Sequence, residues 1–289
     1  MLRNLRLLPI ALVLITGALA RTPVIWDLEV LKQQPRNLPV EKVNKWRQNK
    51  AAALFKQSGA TAVSEQPVWR DGTPGPTLPV SNVVVELEGS TKDIIVIGAH
   101  LDKHYNGKGE GAVDDWSGVA AMAGLFRELR KQPVRKFTFV FVAFAYEEDG
   151  LWGSKSYVNS LSPDAVARIK AMVNLECLGV SHLHIWRNGS TPRLIDLAEK
   201  LAKLNGVKLI SRDLPEGVIS DSIPFSKQGI PTITFDSLKP KDFPLIHSDD
   251  DTLDKISVSA YKDGLAFILK YILEIDIAGV PIATASPGK

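Results

Sequence analysis

In the stretch Asp93–Gly118, DIIVIGAHLDKHYNGKGEGAVDDWSG, an apolar run from Ile94 to Ala99 ends abruptly in His100, Leu101 and Asp102. A Gly- and Lys-rich loop then leads to Asp114 and Asp115, just before a Ser-Gly that opens a helix. Further along stand Glu147-Glu148-Asp149, Glu176, and His247 followed by Asp249, Asp250 and Asp251. Imidazole nitrogen and carboxylate oxygen, with no usable thiolate, suit zinc and its first-row neighbours. A lone zinc needs three protein ligands and an open position, whereas His100, Asp114, Glu148, Glu176 and His247 are enough for two. Two ions about 3.5–4 Å apart can clamp the attacking and leaving oxygens of a hydrolysis. Such a pair needs a bridging carboxylate, and Asp114, on a loop before a helix N-terminus, is placed to be one.

The neighbours of these residues have their own expected tasks. Asp102, two residues beyond His100, can accept the imidazole's second N–H and fix its tautomer. Glu147 and Glu148 are adjacent at a strand end, so their carboxylates point in different directions. One can bind metal while the other stays free as general base, carrying a proton from water to a leaving amine. Asp115 is expected to start the helix or to support the ligands from behind. His104 falls in the Lys-Gly loop and reads as a pocket rim. His182 and His184 alternate with Leu183 and Ile185 and read as surface-facing residues of a short strand.

The elements that must position these groups alternate. Strands are expected at 82–87, 94–99, 137–145, 171–176 and 231–235, with shorter ones at 182–186 and 207–211. Helices are expected at 41–56, 118–131, 153–161, 163–169, 192–204, 221–227 and 257–274. Residues 66–80, rich in Pro and Gly, read as a loop. The run FTFVFVAFA at 137–145 is apolar on both faces, as in a central strand of a parallel sheet. Alternation of this kind predicts an α/β fold: a three-layer α/β/α sandwich around a mixed, mostly parallel sheet. In open α/β sheets ligands bind beyond the carboxyl ends of the strands, which is where the acids and histidines fall. Residues 21–80 are expected to form a lead-in, a helix and a loop packed on a catalytic domain at 81–289.

Composition narrows the class. The chain has 289 residues, 45% of them hydrophobic and 23% charged, and a net charge of only +3. No field of that size selects nucleic acid, and the basic residues from Arg127 to Lys136 read as a solvated turn. Arg3 and Arg6, an apolar run from Leu7 to Thr16 and Ala18-Leu19-Ala20 form a secretory signal with cleavage expected after Ala20. The apolar part is too short for a span, so no integral membrane segment is expected in the mature form, and the address is secreted or periplasmic. Cys177 is the only cysteine, so no intramolecular disulfide can form, and its apolar flanks make it a packing residue.

Six segments, GAHLD, GAVDDWSG, YEEDGLWGSKSYV, VNLECLG, SDSIPF with GIPTI, and IHSDDDTLDKI, resemble in order and spacing the di-zinc exopeptidases of metallopeptidase family 28. The resemblance covers roughly residues 80–275 and implies a zinc-exopeptidase fold holding two Zn2+ per chain. It implies His100 as ligand of one zinc with Asp102 behind it, Asp114 as bridge, and Glu147 as general base. Glu148 becomes a ligand of the other zinc and His247 the final ligand. Glu176 stands where the family usually has an aspartate, one methylene shorter. Asp221 matches a segment lining the substrate pocket. Ile246 occupies a position often aromatic, and it cannot donate a hydrogen bond to an oxyanion. The implied activity is removal of N-terminal residues from peptide substrates. The alternatives are a one-zinc glutaminyl-cyclase-like aminoacyltransferase, a carboxypeptidase-type relative, or a non-catalytic binding module on the same fold. Oligomeric state is not encoded in any feature of the sequence.

Overall fold

The computed structural model describes residues 27–105 and 108–281. The segment read as a signal peptide lies outside the described residues. The strands are β1 (Ser64–Gln66), β2 (Asn82–Leu87), β3 (Ile94–His100), β4 (Thr138–Phe144), β5 (Ile169–Leu175), β6 (His184–Trp186), β7 (Ile210–Arg212) and β8 (Thr232–Asp236). The α-helices are α1 (Val40–Gln57), α2 (Ser117–Arg130), α3 (Trp152–Asn159), α4 (Pro163–Arg168), α5 (Pro192–Asn205), α6 (Ser222–Lys227) and α7 (Val258–Ala278). Among the described residues the eight strands join one sheet in the order β1-β2-β4-β3-β5-β8-β6-β7. The centre, β4-β3-β5-β8, is parallel, while β1-β2, β2-β4 and β6-β8 pair antiparallel and β6-β7 parallel. The mixed α/β sheet expected from the alternation is present.

Strand parity divides the two helical layers. Ile95, Ile97 and Ala99 of β3, with Phe139 and Phe141 of β4, face the larger core, which α1, α2, α5 and α7 cover. Val96, Val140, Val142 and Phe144 face a smaller core closed by Tyr157 and Val158 of α3 and Phe225 of α6. Every residue of β4 is buried, as the two-sided apolar run predicts. Gly98 has no alternative on this face: a Cβ there would come within 2.6 Å of the Phe144 ring and 2.8 Å of the Met172 methyl. Phe141 anchors the larger core by an edge-on contact with Phe126 at 5.5 Å and a tilted one with Phe55 at 5.8 Å. We expect Phe141→Ala to destabilise the fold by about 3–5 kcal/mol, read as a lowered midpoint in urea with an unchanged slope.

Several sequence expectations are corrected. Residues 64–66, polar and short, gave no strand signal, yet they pair with β2 in the register Ser64↔Val84. The strand expected at 207–211 is β7, three residues further on, and the one at 182–186 shrinks to β6. His184 is not surface-facing but buried, with Nδ1 at 3.7 Å from Asp236 Oδ1. The His-Leu-His alternation imitates a half-exposed strand, but β6 lies between β8 and β7 and is wholly buried. The helix α1 packs on the sheet, with Ala51, Leu54 and Phe55 in the larger core. No helix among the described residues is long and apolar enough to cross a membrane.

Candidate metal centre

Parity carries over from the strands into the site. His100 ends β3 on the same face as Val96 and Gly98, and Glu176 follows β5 on the face of Met172 and Asn174. Because Gly98 lies beside Asn174 in the sheet, the next outward positions, His100 and Glu176, also become neighbours. His100 Nε2 is 3.3 Å from Glu176 Oε1, and Asn174 holds the other Glu176 oxygen at 3.0 Å. The extra methylene of Glu176 therefore reaches the cluster and is braced there.

Asp114 joins two groups of donors. Its Oδ1 lies 2.9 Å from His100 Nε2, and its Oδ2 lies 3.1 Å from His247 Nε2. His247 Nε2 is in turn 3.1 Å from Glu148 Oε2. The five residues expected to ligate metal thus meet as two overlapping triads: His100, Asp114 and Glu176 on one side, His247, Asp114 and Glu148 on the other. His100 Nδ1 donates to the backbone carbonyl of Asp102 at 3.1 Å, which turns Nε2 toward the carboxylates.

Asp102 takes the second N–H of His100 with its backbone carbonyl, not with its carboxylate. Its carboxylate stays 3.7 Å from His100 Nδ1 and instead accepts the backbone N–H of Glu147 at 3.2 Å and of Glu148 at 3.3 Å. Asp102 thereby sets the turn that splays the two glutamates. Asp115 is a buried hub, accepting backbone N–H bonds from His100, Gly118 and Cys177 at 3.3, 3.1 and 3.0 Å. It ties the ends of β3 and β5 to the start of α2. Asp251 accepts the N–H groups of Val113 at 2.7 Å and Asp114 at 3.2 Å, so the loop before α7 fixes the bridging candidate.

The electrostatics are those of an acid cluster short of cations. Burial pushes the Glu148 carboxyl up to about 7, with Asp114 nearby adding to the rise. Burial also raises Glu147 well above the carboxylate range, opposed by His100 and reinforced by Glu176 and Asp221. Asp221 is buried, neither of its oxygens has a hydrogen-bond partner among the described residues, and burial pushes its carboxyl up to about 8. Burial alone would raise Asp114 too, but hydrogen bonds from His100 and His247 outweigh it and hold the carboxyl below its usual value. Hydrogen bonds to Asp114 and Glu148 raise His247 to about 10. In both triads an imidazole Nε2 and two carboxylate oxygens converge where a cation would be shared. With Glu148 Oε1 also unpartnered, the donor set fits divalent metal better than it fits a self-satisfied polar core.

The remaining candidates fall around this centre. His104 stacks on His247 at 4.1 Å and Tyr105 on His104 at 4.2 Å, so His104 does more than border the opening. Its ring nitrogen is close enough to Glu148 and His247 to join a metal group. Cys177 is buried near Asp114 and Glu176, and burial among carboxylates keeps its thiol protonated. Ile246 packs against the larger core rather than lining the opening above Asp114, which Lys103, His104, Gly111, Glu148 and His247 surround. Sequence reading passed over Arg47 and gave Asp251 no role. The signal for Arg47 was available: a charged residue on the same helical stripe as Val43, Ala51 and Leu54, where only a partnered charge can be buried.

The sequence pattern of Peptidase family M28 matches residues 82–272, a span holding both triads. The aminopeptidase YwaD of Bacillus subtilis is 30% identical over 174 residues, covering 57% of this chain and 37% of its own. The structure of an aminopeptidase from Aneurinibacillus sp. strain AM-1 superposes with a TM-score of 0.59 at 31% identity, covering 68% of this chain and 48% of that one. A glutaminyl cyclase from an Acidobacteriales bacterium shares the fold, with a TM-score of 0.74 at 23% identity over 90% of this chain and 97% of that chain. The chain spans about a fifth to two fifths of the length of the first curated relatives it matches. A match over two triads, the strands that carry them and the helices between leaves one assignment: the chain belongs to Peptidase family M28.

Proposed function

We propose that this protein is a zinc-dependent aminopeptidase that holds two Zn2+ and releases N-terminal residues from peptides. The observation that carries the reading is the division of Asp114, one oxygen toward His100 and the other toward His247. His100, Asp114 and Glu176 would hold one ion, and Glu148, Asp114 and His247 the other. Zinc at these positions supplies Lewis acidity to the scissile carbonyl and to water.

The chain's own groups do the rest. Glu147 stands beside the triads without belonging to either, and Asp102 fixes its backbone at 3.2 Å. Its carboxylate accepts a proton from the attacking water and delivers it to the leaving nitrogen. Burial, which raises its proton affinity, suits it to carry that proton between the two steps. Asp221, buried and without a hydrogen-bond partner, would meet the substrate's free amine. Removal of the signal by cleavage after Ala20 would place the enzyme outside the cytoplasm, a reading supported by the charge, apolar run and Ala-x-Ala pattern alone.

A panel of aminoacyl chromogenic amides, each with a free or acetylated amine, tests the reading with and without chelator. Activity confined to free amines and abolished by chelation is the expected result. Release of ammonia from an N-terminal glutamine peptide, with one tightly held zinc per chain, would replace it with the cyclase reaction. No turnover of any amide after zinc supplementation would leave a binding module.

A further inference from the structure

Arg47 lies on α1, outside the residues that match the family, and its whole side chain is buried. Its guanidinium donates to three backbone carbonyls: Leu101 at 2.5 Å, Glu110 at 2.9 Å and Gly111 at 2.9 Å. A fourth bond reaches Gln34 Oε1 at 3.1 Å. Leu101 directly follows His100, whereas Glu110 and Gly111 lead into Ala112–Trp116, which carries Asp114. One fork therefore grips the chain where it leaves the first triad and again where it returns with the bridging carboxylate. A planar guanidinium can span both points; a point charge cannot. The fit is close, because Gly111 has φ 63° and a Cβ there would come within 3.0 Å of Arg47 Nη1 and 2.7 Å of Lys103 Cβ. The Trp116 ring lies under the guanidinium at 5.3 Å and completes its desolvated seat.

The opposite side of the returning chain is held by the loop before α7. Glu110 N–H donates to the Asp251 carbonyl at 2.6 Å, and the Leu253 N–H to Glu110 Oε2 at 3.0 Å. Asp251 itself accepts from Val113 and Asp114. Burial lowers the Arg47 pKa to about 10, while Asp102, Asp251, Asp115 and Asp114 act to keep it charged.

We propose that Arg47 is a positioning residue for the metal pair, a clasp that sets the distance between His100 and Asp114 so that both can share a cation. It deepens the two-zinc reading above and rests on it. The test is zinc affinity and stoichiometry by chelator competition on the purified full chain, for wild type, Arg47→Met and Arg47→Lys, with far-UV dichroism of each metal-free protein. Cobalt substitution adds a visible spectrum that reports ligand geometry.

Both variants are expected to stay folded without metal and to bind at least one of the two ions about 10–100-fold more weakly, with an altered cobalt spectrum. Arg47→Lys is expected to fail like Arg47→Met, since it keeps the charge and loses the fork. Wild-type zinc affinity in Arg47→Met overturns the proposal, and so does full rescue by lysine. Loss of the folded signal in the metal-free variants also overturns it, because Arg47 would then hold the fold and not the clasp. The measurement needs no peptide, so its failure is distinct from failure of the aminopeptidase reading. A wild-type protein that binds a single zinc would sink the two-metal reading instead.

Discussion

Glu147→Ala is expected to lose about 10²–10⁴-fold in kcat while retaining its full complement of zinc. Glu147 is in neither triad: the carboxylate oxygens nearest the imidazoles belong to Asp114, Glu148 and Glu176. Asp102 accepts the backbone N–H of both glutamates, so removing one side chain leaves the turn and Glu148 in place. Burial raises the proton affinity of Glu147, which a proton carrier needs and a metal ligand does not. The check is turnover of a free aminoacyl amide alongside the zinc content of the same preparation. Near-normal turnover would remove Glu147 as the base and turn attention to Asp221. Zinc loss together with activity loss would make it a ligand.

Asp114→Ala is expected to weaken both ions at once, by more than the roughly 10–100-fold that an outer hydrogen-bond partner costs. The reason is geometric: its two oxygens lie 2.9 Å and 3.1 Å from imidazoles of different triads. His247→Ala serves as the comparison, since His247 belongs to one triad and should cost one ion. Zinc counted per chain after gel filtration separates the two outcomes. Retention of one tightly held zinc by Asp114→Ala would show that the triads are independent and that Asp114 is no bridge.

Much of this was legible along the chain. The apolar run of β4, the alternation of strands with helices, and the placement of acids and histidines beyond strand ends are local patterns, and each appears in the structure. The five candidate ligands do meet, although Asp114 and His247 are far apart in sequence. What failed to show was the reach of individual side chains. Asp102 is read as the partner of His100 and is one through its carbonyl, but the chain turns so that its carboxylate meets the Glu147 and Glu148 amides. His184 looks half-exposed by its alternation, yet a strand on either side buries it.

Residue type and spacing alone determined the general fold and a set of groups that could hold metal, because periodicity and donor type are properties of short segments. Only the tertiary structure decided how those groups are shared: which oxygen of Asp114 faces which histidine, which acids stand behind the candidate ligands, and that α1 brings Arg47 to the loop between His100 and Asp114. These depend on contacts between segments tens to more than a hundred residues apart. Hydrogen bonds of 3 Å are set there by packing of the sheet, its two helical layers and the loop before α7, none of which leaves a periodic mark on the chain.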